Sequence, residues 1–250
     1  MLNHPRIFFL ISLLLLWIAA QVGTYVRRRR PLKDEEREDF GVLQAATLTL
    51  LGLIIGFTFS MAIARYDQRK NYEEEEANSI GTEYVRAGLL PAADAAAVRS
   101  HLQRYLDLRI RFYQTRDQRE LSQINADTAQ LQNEMWSVVQ GPAVKQPTPV
   151  IALAVSGMND VLNSQGYTEA AWRNRIPGSA WALMMAIAIC CNLLVGYGAR
   201  RGGPKSALLF VLPLVVSIAF LLIADIDSPR GGFIHIVPQN LISLAQSLSN

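Results

Sequence analysis

FGVLQAATLTLLGLIIGFTFSMAIARYDQRKNYEEEE, residues 40–76, decides the fold. Phe40 to Ala64 contains no charged side chain, and the chain then turns abruptly polar at Arg65-Tyr66-Asp67-Gln68-Arg69-Lys70. At 1.5 Å per residue, about 20 apolar residues cross a ~30 Å hydrocarbon core. Ile7–Val26, Ile176–Ala199 and Ser206–Ala224 are three further uncharged runs of that order. Buried helices of soluble proteins are usually shorter, so the four runs predict four membrane-spanning helices. The first run has a cleaved leader as its alternative. Its apolar stretch exceeds the usual ~7–15 residues, and Arg27 to Arg30 stand where a cleavage site needs small residues, so we read it as a retained span.

The composition agrees. Of 250 residues, 50% are hydrophobic and 18% charged, against roughly 25% charged in a soluble domain. That disfavours a soluble enzyme and a disordered chain alike. The 24 basic and 21 acidic residues leave a net charge of +3, too little to point to nucleic acid. Cys190 and Cys191 are adjacent inside an apolar run and staple nothing.

The spans divide the chain into 1–64, a first helix pair; 65–175, a helical extramembrane insert; 176–224, a second pair; and 225–250, a tail. The predicted class is all-α. Within the insert, Val98, Leu102, Leu106, Ile110 and Tyr113 recur at helical spacing. So do Leu121, Ile124, Thr128, Leu131, Met135 and Val138. Gly141-Pro142, Pro147 and Pro149 are expected to break the pattern. A helix is expected from Val150 to Asn163, ended by Gly166, and Ile176-Pro177 opens the third span. A short amphipathic helix is predicted from about Pro238 to Leu248.

Catalytic chemistry is not visible. His4, His101 and His235 lie in different segments, which forms neither a metal site nor a catalytic triad. Gly196-x-Gly198 with Arg200, Arg201, Gly202, Gly203 and Lys205 resembles a phosphate loop, but it follows no strand and reads as a basic interhelical turn. No enzyme activity, cofactor or metal is expected.

The second span carries Gln44, Thr47, Thr49, Thr58 and Ser60, and Gly52-x-x-x-Gly56 permits close helix approach. Two readings remain open: ordinary span packing, or a pore face on which Thr49, Leu53 and Phe57 lie four residues apart. Likewise Arg65, Asp67, Glu73 and Glu74 form either the solvated exit of a helix or a charged vestibule. Asp225, Asp227 and Arg230 after the fourth span suit structural pairing or a cation site. Asn192 is expected to bond between helices. The basic loops after the first and third spans, taken alone, place the insert outside the cell.

Gly56-Phe57-Thr58-Phe59-Ser60-Met61-Ala62-Ile63-Ala64-Arg65-Tyr66 resembles the second-span signature of bestrophins. The continuation through Asn71-Tyr72-Glu73-Glu74-Glu75-Glu76-Ala77-Asn78, together with Ile223-Ala224-Asp225-Ile226-Asp227-Ser228-Pro229-Arg230-Gly231-Gly232, is similar to the bacterial bestrophin-like group. The resemblance implies a homopentameric, multi-pass channel of the inner membrane, with the insert in the cytoplasm. Its partners would be copies of itself, the lipid bilayer and small monovalent ions, anions such as chloride first. It implies a pore lined by the second span, with Phe57 innermost in the neck, Leu53 in the middle and Thr49 outermost. Thr49 differs from the bulky apolar residue of that family. The competing reading is a non-conducting scaffold or accessory subunit whose insert binds a partner protein.

Overall fold

The computed structural model describes residues 4–199 and 206–249. The basic turn at Arg200, Arg201, Gly202, Gly203 and Lys205 lies outside them. The fold is all-helical: α1 (Pro5–Arg29), α2 (Arg37–Arg86), a 3₁₀ turn (Ala87–Leu89), α3 (Ala92–Gln114), α4 (Gln118–Lys145), α5 (Pro149–Arg173), α6 (Gly178–Gly198), α7 (Ser206–Asp227) and α8 (Gln239–Ser249). Four helical stretches are long and apolar enough to cross a membrane: Pro5–Arg29, Ala207–Asp227, and parts of Arg37–Leu89 and Pro149–Gly198. The chain forms two compact units, Met1–Ala64 with Arg175–His235, and Arg65–Asn174 with Ile236–Asn250. Helix α2 contributes to both.

In the first unit α1 packs on α6 and α7. Lipid and apolar side chains are alike in solvation, so contact between spans depends on close packing. Gly23 and Gly196 supply it. A Cβ on Gly23 would stand 2.1 Å from the Leu193 carbonyl oxygen, and one on Gly196 2.0 Å from that of Ala20. The sequence suggested Gly52 and Gly56 for this task, yet none of the described residues lies within 4 Å of a Cβ at either. Phe8 closes the other end of the bundle, edge-on to Trp181 at 5.0 Å and against Phe220. Asn192 donates to its own helix at Ala188 O rather than to a neighbour.

In the second unit α3, α4 and α5 bury the predicted stripes. Val98, Leu102, Leu106, Ile124, Leu131 and Met135 are core, joined by Met158 and Val161 of α5, Ile80 of α2 and Leu241 of α8. Two expected breaks do not occur. Helix α4 continues through Pro142 to Lys145, because the buried proline falls in the last turn, where Gln146 N–H still reaches Pro142 O at 2.8 Å. Helix α5 continues past Gly166 to Arg173, because Ser164, Thr168, Ala171 and Trp172 extend its buried stripe. The cost of one exposed mid-helix glycine, about 1 kcal/mol, is smaller than the gain from burying that last stretch.

Replacing Gly196 with leucine drives a side chain into a helix backbone that cannot yield. The expected outcome is a loss of about 3 kcal/mol or more, or no folded protein, read by thermal melting in detergent. Gly41→Ala in α2, where no described residue lies within 4 Å of the new methyl, should leave the melting temperature unchanged or raise it.

Candidate functional site

Helix α2 has two faces, each built largely of steps of three and four residues. The packed face runs Leu51, Ile55, Thr58 and Ala62, then Arg69, Glu73, Glu76, Ile80 and Glu83. All but the half-buried Ile55 are buried. The open face runs Thr49, Leu53, Phe57, Ser60, Ala64, Asp67, Asn71, Glu74 and Asn78, and every one of these is exposed in the chain. Phe57 is 64% and Leu53 52% exposed, and Gly52 and Gly56 flank them with open space above. The Thr49 hydroxyl donates to Ala45 O at 2.9 Å, and that of Thr58 to Ile54 O at 2.8 Å, so neither is left unsatisfied in an apolar setting.

The structure therefore places Thr49, Leu53 and Phe57 on one uncovered line, continued by Asp67 and Glu74. Arg65 lies half-buried beside that line. Glu73 lies on the other face. Its carboxylate accepts from Asn240 N at 2.9 Å, Leu241 N at 3.0 Å and Asn240 Nδ2 at 2.6 Å. It thus caps the N-terminus of α8, where free N–H groups and the helix dipole favour an anion.

The rest of the packed face holds groups that sequence reasoning did not single out. Arg69 donates to Ala171 O at 3.1 Å and Asn174 O at 3.0 Å, closing the C-terminus of α5. Glu76 and Arg109 form an ion pair with no exposure on either side chain. Glu76 also accepts from Tyr113 and Thr168, each at 3.2 Å, and Arg109 stacks over Phe112 at 4.3 Å. Burial works against a charge on Arg109, but its neighbours, Glu76 foremost, together raise its pKa above the ordinary value. Burial also pushes the Tyr113 phenol up, so it stays a donor to Glu76. One signal was available for these residues: Arg69, Glu73, Glu76, Ile80 and Glu83 continue in register from Leu51, Thr58 and Ala62.

Glu83 differs from the other carboxylates. It is fully buried, and its two oxygens have no hydrogen-bond partner among the described residues. It lies over Gly157 of α5, where a Cβ would come within 2.0 Å of Oε2. Burial pushes its pKa up to about 8, with Arg86 lowering and Asp160 raising it.

After the fourth span, Asp225 accepts from Phe233 N and Ile234 N, each at 2.8 Å. Gly232 is required there, since a Cβ would fall 2.6 Å from the Asp225 carboxylate. Asp227 accepts from Ile176 N at 3.1 Å. Both aspartates are buried and Arg230 is half-buried. The two carboxylates thus hold backbone: one folds the tail back, the other fixes the start of the third span. Among the described residues no group of three His, Cys, Asp or Glu side chains forms a metal site.

The helix order and the apolar stretches define an all-α membrane protein. Residues 7–241 match the Bestrophin-like domain, and the chain belongs to that family, whose members are ion channels rather than enzymes. Solved structures agree in fold. A bacterial bestrophin homologue from Klebsiella pneumoniae is 14% identical with a TM-score of 0.62, covering 96% of this chain and 98% of that one. A mutant bacterial bestrophin homologue from the same organism, also 14% identical, gives a TM-score of 0.63 over 98% and 97%. No curated protein matches the chain by sequence.

Two outcomes are expected at these carboxylates. The native state holds the Glu83 proton to about pH 8, whereas the unfolded chain releases it near 4.5. Stability should therefore fall between those pH values, by up to about 1.4 kcal/mol per pH unit, and then level off. Melting curves of Glu83→Gln should lack that slope and gain on the natural protein as pH rises. Asp225→Asn should lower the melting temperature by the equivalent of about 1–3 kcal/mol, equally with and without calcium. A calcium-dependent rise seen in the natural chain alone would make Asp225 a cation ligand instead.

Proposed function

We propose that the protein is a homo-oligomeric, pentameric ion channel of the inner membrane, passing small monovalent anions such as chloride through a pore lined by α2. The single observation that carries this reading is the open face of α2. Glycines at 52 and 56 and hydroxyls at 49 and 60 alternate with Leu53 and Phe57 along it, and none of the described residues covers them. A purely lipid-facing surface has no need of those small and polar residues. A central axis shared by several copies uses all of them: small residues for close approach, apolar ones for a constriction that sheds water. Phe57 and Leu53 form the neck, with Thr49 at its outer end. Arg65, Asp67 and Glu74 line the vestibule beyond, while Glu73 acts from the packed face by fixing α8. The insert lies in the cytoplasm, following the family.

The scaffold reading has one observation of its own. Val144, Val150 and Leu153 are exposed near the α4–α5 turn, beside an apolar hollow of about 710 Å³ that includes Trp136 and Val155. That surface suits a partner protein.

Purified protein in liposomes separates the two. The channel reading expects a pentamer-sized particle, chloride flux exceeding sodium flux, and a several-fold rise in flux for Phe57→Ala. A small particle silent under both gradients supports the scaffold.

A further inference from the structure

The four arginines that follow α1's apolar stretch are not equivalent. Arg27 donates to Tyr197 O at 2.8 Å, satisfying a carbonyl at the end of α6. The Tyr197 hydroxyl returns a bond to Arg30 O at 3.1 Å. These two bonds tie this segment to α6, and Arg28, Arg29 and Arg30 are exposed. The acidic residues that follow do not neutralise them. Asp34 pairs with Arg37 at 3.0 Å, Glu35 is exposed, Glu36 accepts from Lys33 N, and Glu38 and Asp39 sit in the first turn of α2. Among the described residues Arg28, Arg29, Arg30 and Lys33 have no carboxylate within ion-pair distance.

Their depth is set by the helix. The twenty residues from Ile7 to Val26 span about 30 Å, so the arginines emerge at the level of the lipid headgroups. The outward face of α1 leading to them, Leu14, Ile18, Val22 and Tyr25, is exposed and apolar. At its end the Arg29 guanidinium lies over the Tyr25 ring at 4.8 Å, which places a cation where an aromatic ring meets the interface.

We propose that Arg28, Arg29 and Arg30 form a binding site for the phosphate of an anionic lipid headgroup, whose acyl chains lie along the Leu14–Ile18–Val22 face. Guanidinium groups suit this ligand because each presents a planar fork of donors to phosphate oxygens. Their backbone is already held to α6, so binding orders side chains alone. The site stands whether or not the protein conducts ions.

Native mass spectrometry of the full chain in mild detergent, titrated with phosphatidylglycerol or phosphatidylcholine of matched chain length, tests it. Phosphatidylglycerol should bind at least ~10-fold tighter, and added salt should erode the difference. Combining Arg28→Gln, Arg29→Gln and Arg30→Gln should weaken phosphatidylglycerol binding by roughly 10- to 100-fold and leave phosphatidylcholine binding unchanged. The three Arg→Lys replacements should retain most of the preference, which guards against a variant that fails to fold. Equal binding of the two lipids by the natural chain overturns the proposal, as does undiminished phosphatidylglycerol binding by the folded glutamine variant. Inorganic phosphate that displaces the lipid better than chloride at equal ionic strength would make this a free-phosphate site instead.

Discussion

Hydrocarbon offers the backbone no hydrogen-bond partner, so every N–H and C=O within it must be satisfied by the segment that carries it. That constraint makes α2 a helix through the apolar stretch, and nothing in the next twenty residues stops it: no proline occurs between Ala64 and Pro91. One helix of 50 residues thus serves two surroundings. Its packed face is apolar in the first unit and largely charged in the second, where α3, α5 and α8 bond to it.

The charged part shows how ionic groups are accommodated inside a helical domain. A buried carboxylate left alone is costly, and removing one partner of a buried pair commonly costs about 3–5 kcal/mol. Glu73 and Glu76 are each surrounded by several donors, and those donors come from α8, α3 and α5. The bonds therefore specify how four helices meet as well as satisfying charge. Glu83 lacks such partners and keeps its proton instead.

The membrane segments were legible because length and apolarity are properties of the chain alone. The core stripes of α3 and α4 were legible because their apolar residues repeat with the helical period. The buried face of α2 beyond Ala64 was not. Arg69, Glu73, Glu76 and Glu83 carry the charges that normally mark a solvated surface, so hydropathy reads them backwards. Gly52 and Gly56 misled for a related reason: a small-residue motif reports that close approach is possible, without saying which helix approaches. Within the chain, Gly23 and Gly196 make that contact.

The sequence by itself determined four spans, a helical insert and the family, since each rests on composition, period or a contiguous motif. Only the tertiary structure decided which glycines join helices, which of the clustered glutamates are buried, and that Asp225 and Asp227 hold backbone amides. It also separated Arg27, spent on α6, from Arg28, Arg29 and Arg30, which remain open. The reason is common to all of these. A charge or a glycine acquires its role from what the fold brings beside it, and those neighbours are distant in sequence: Leu193 for Gly23, Asn240 for Glu73, Tyr197 for Arg27.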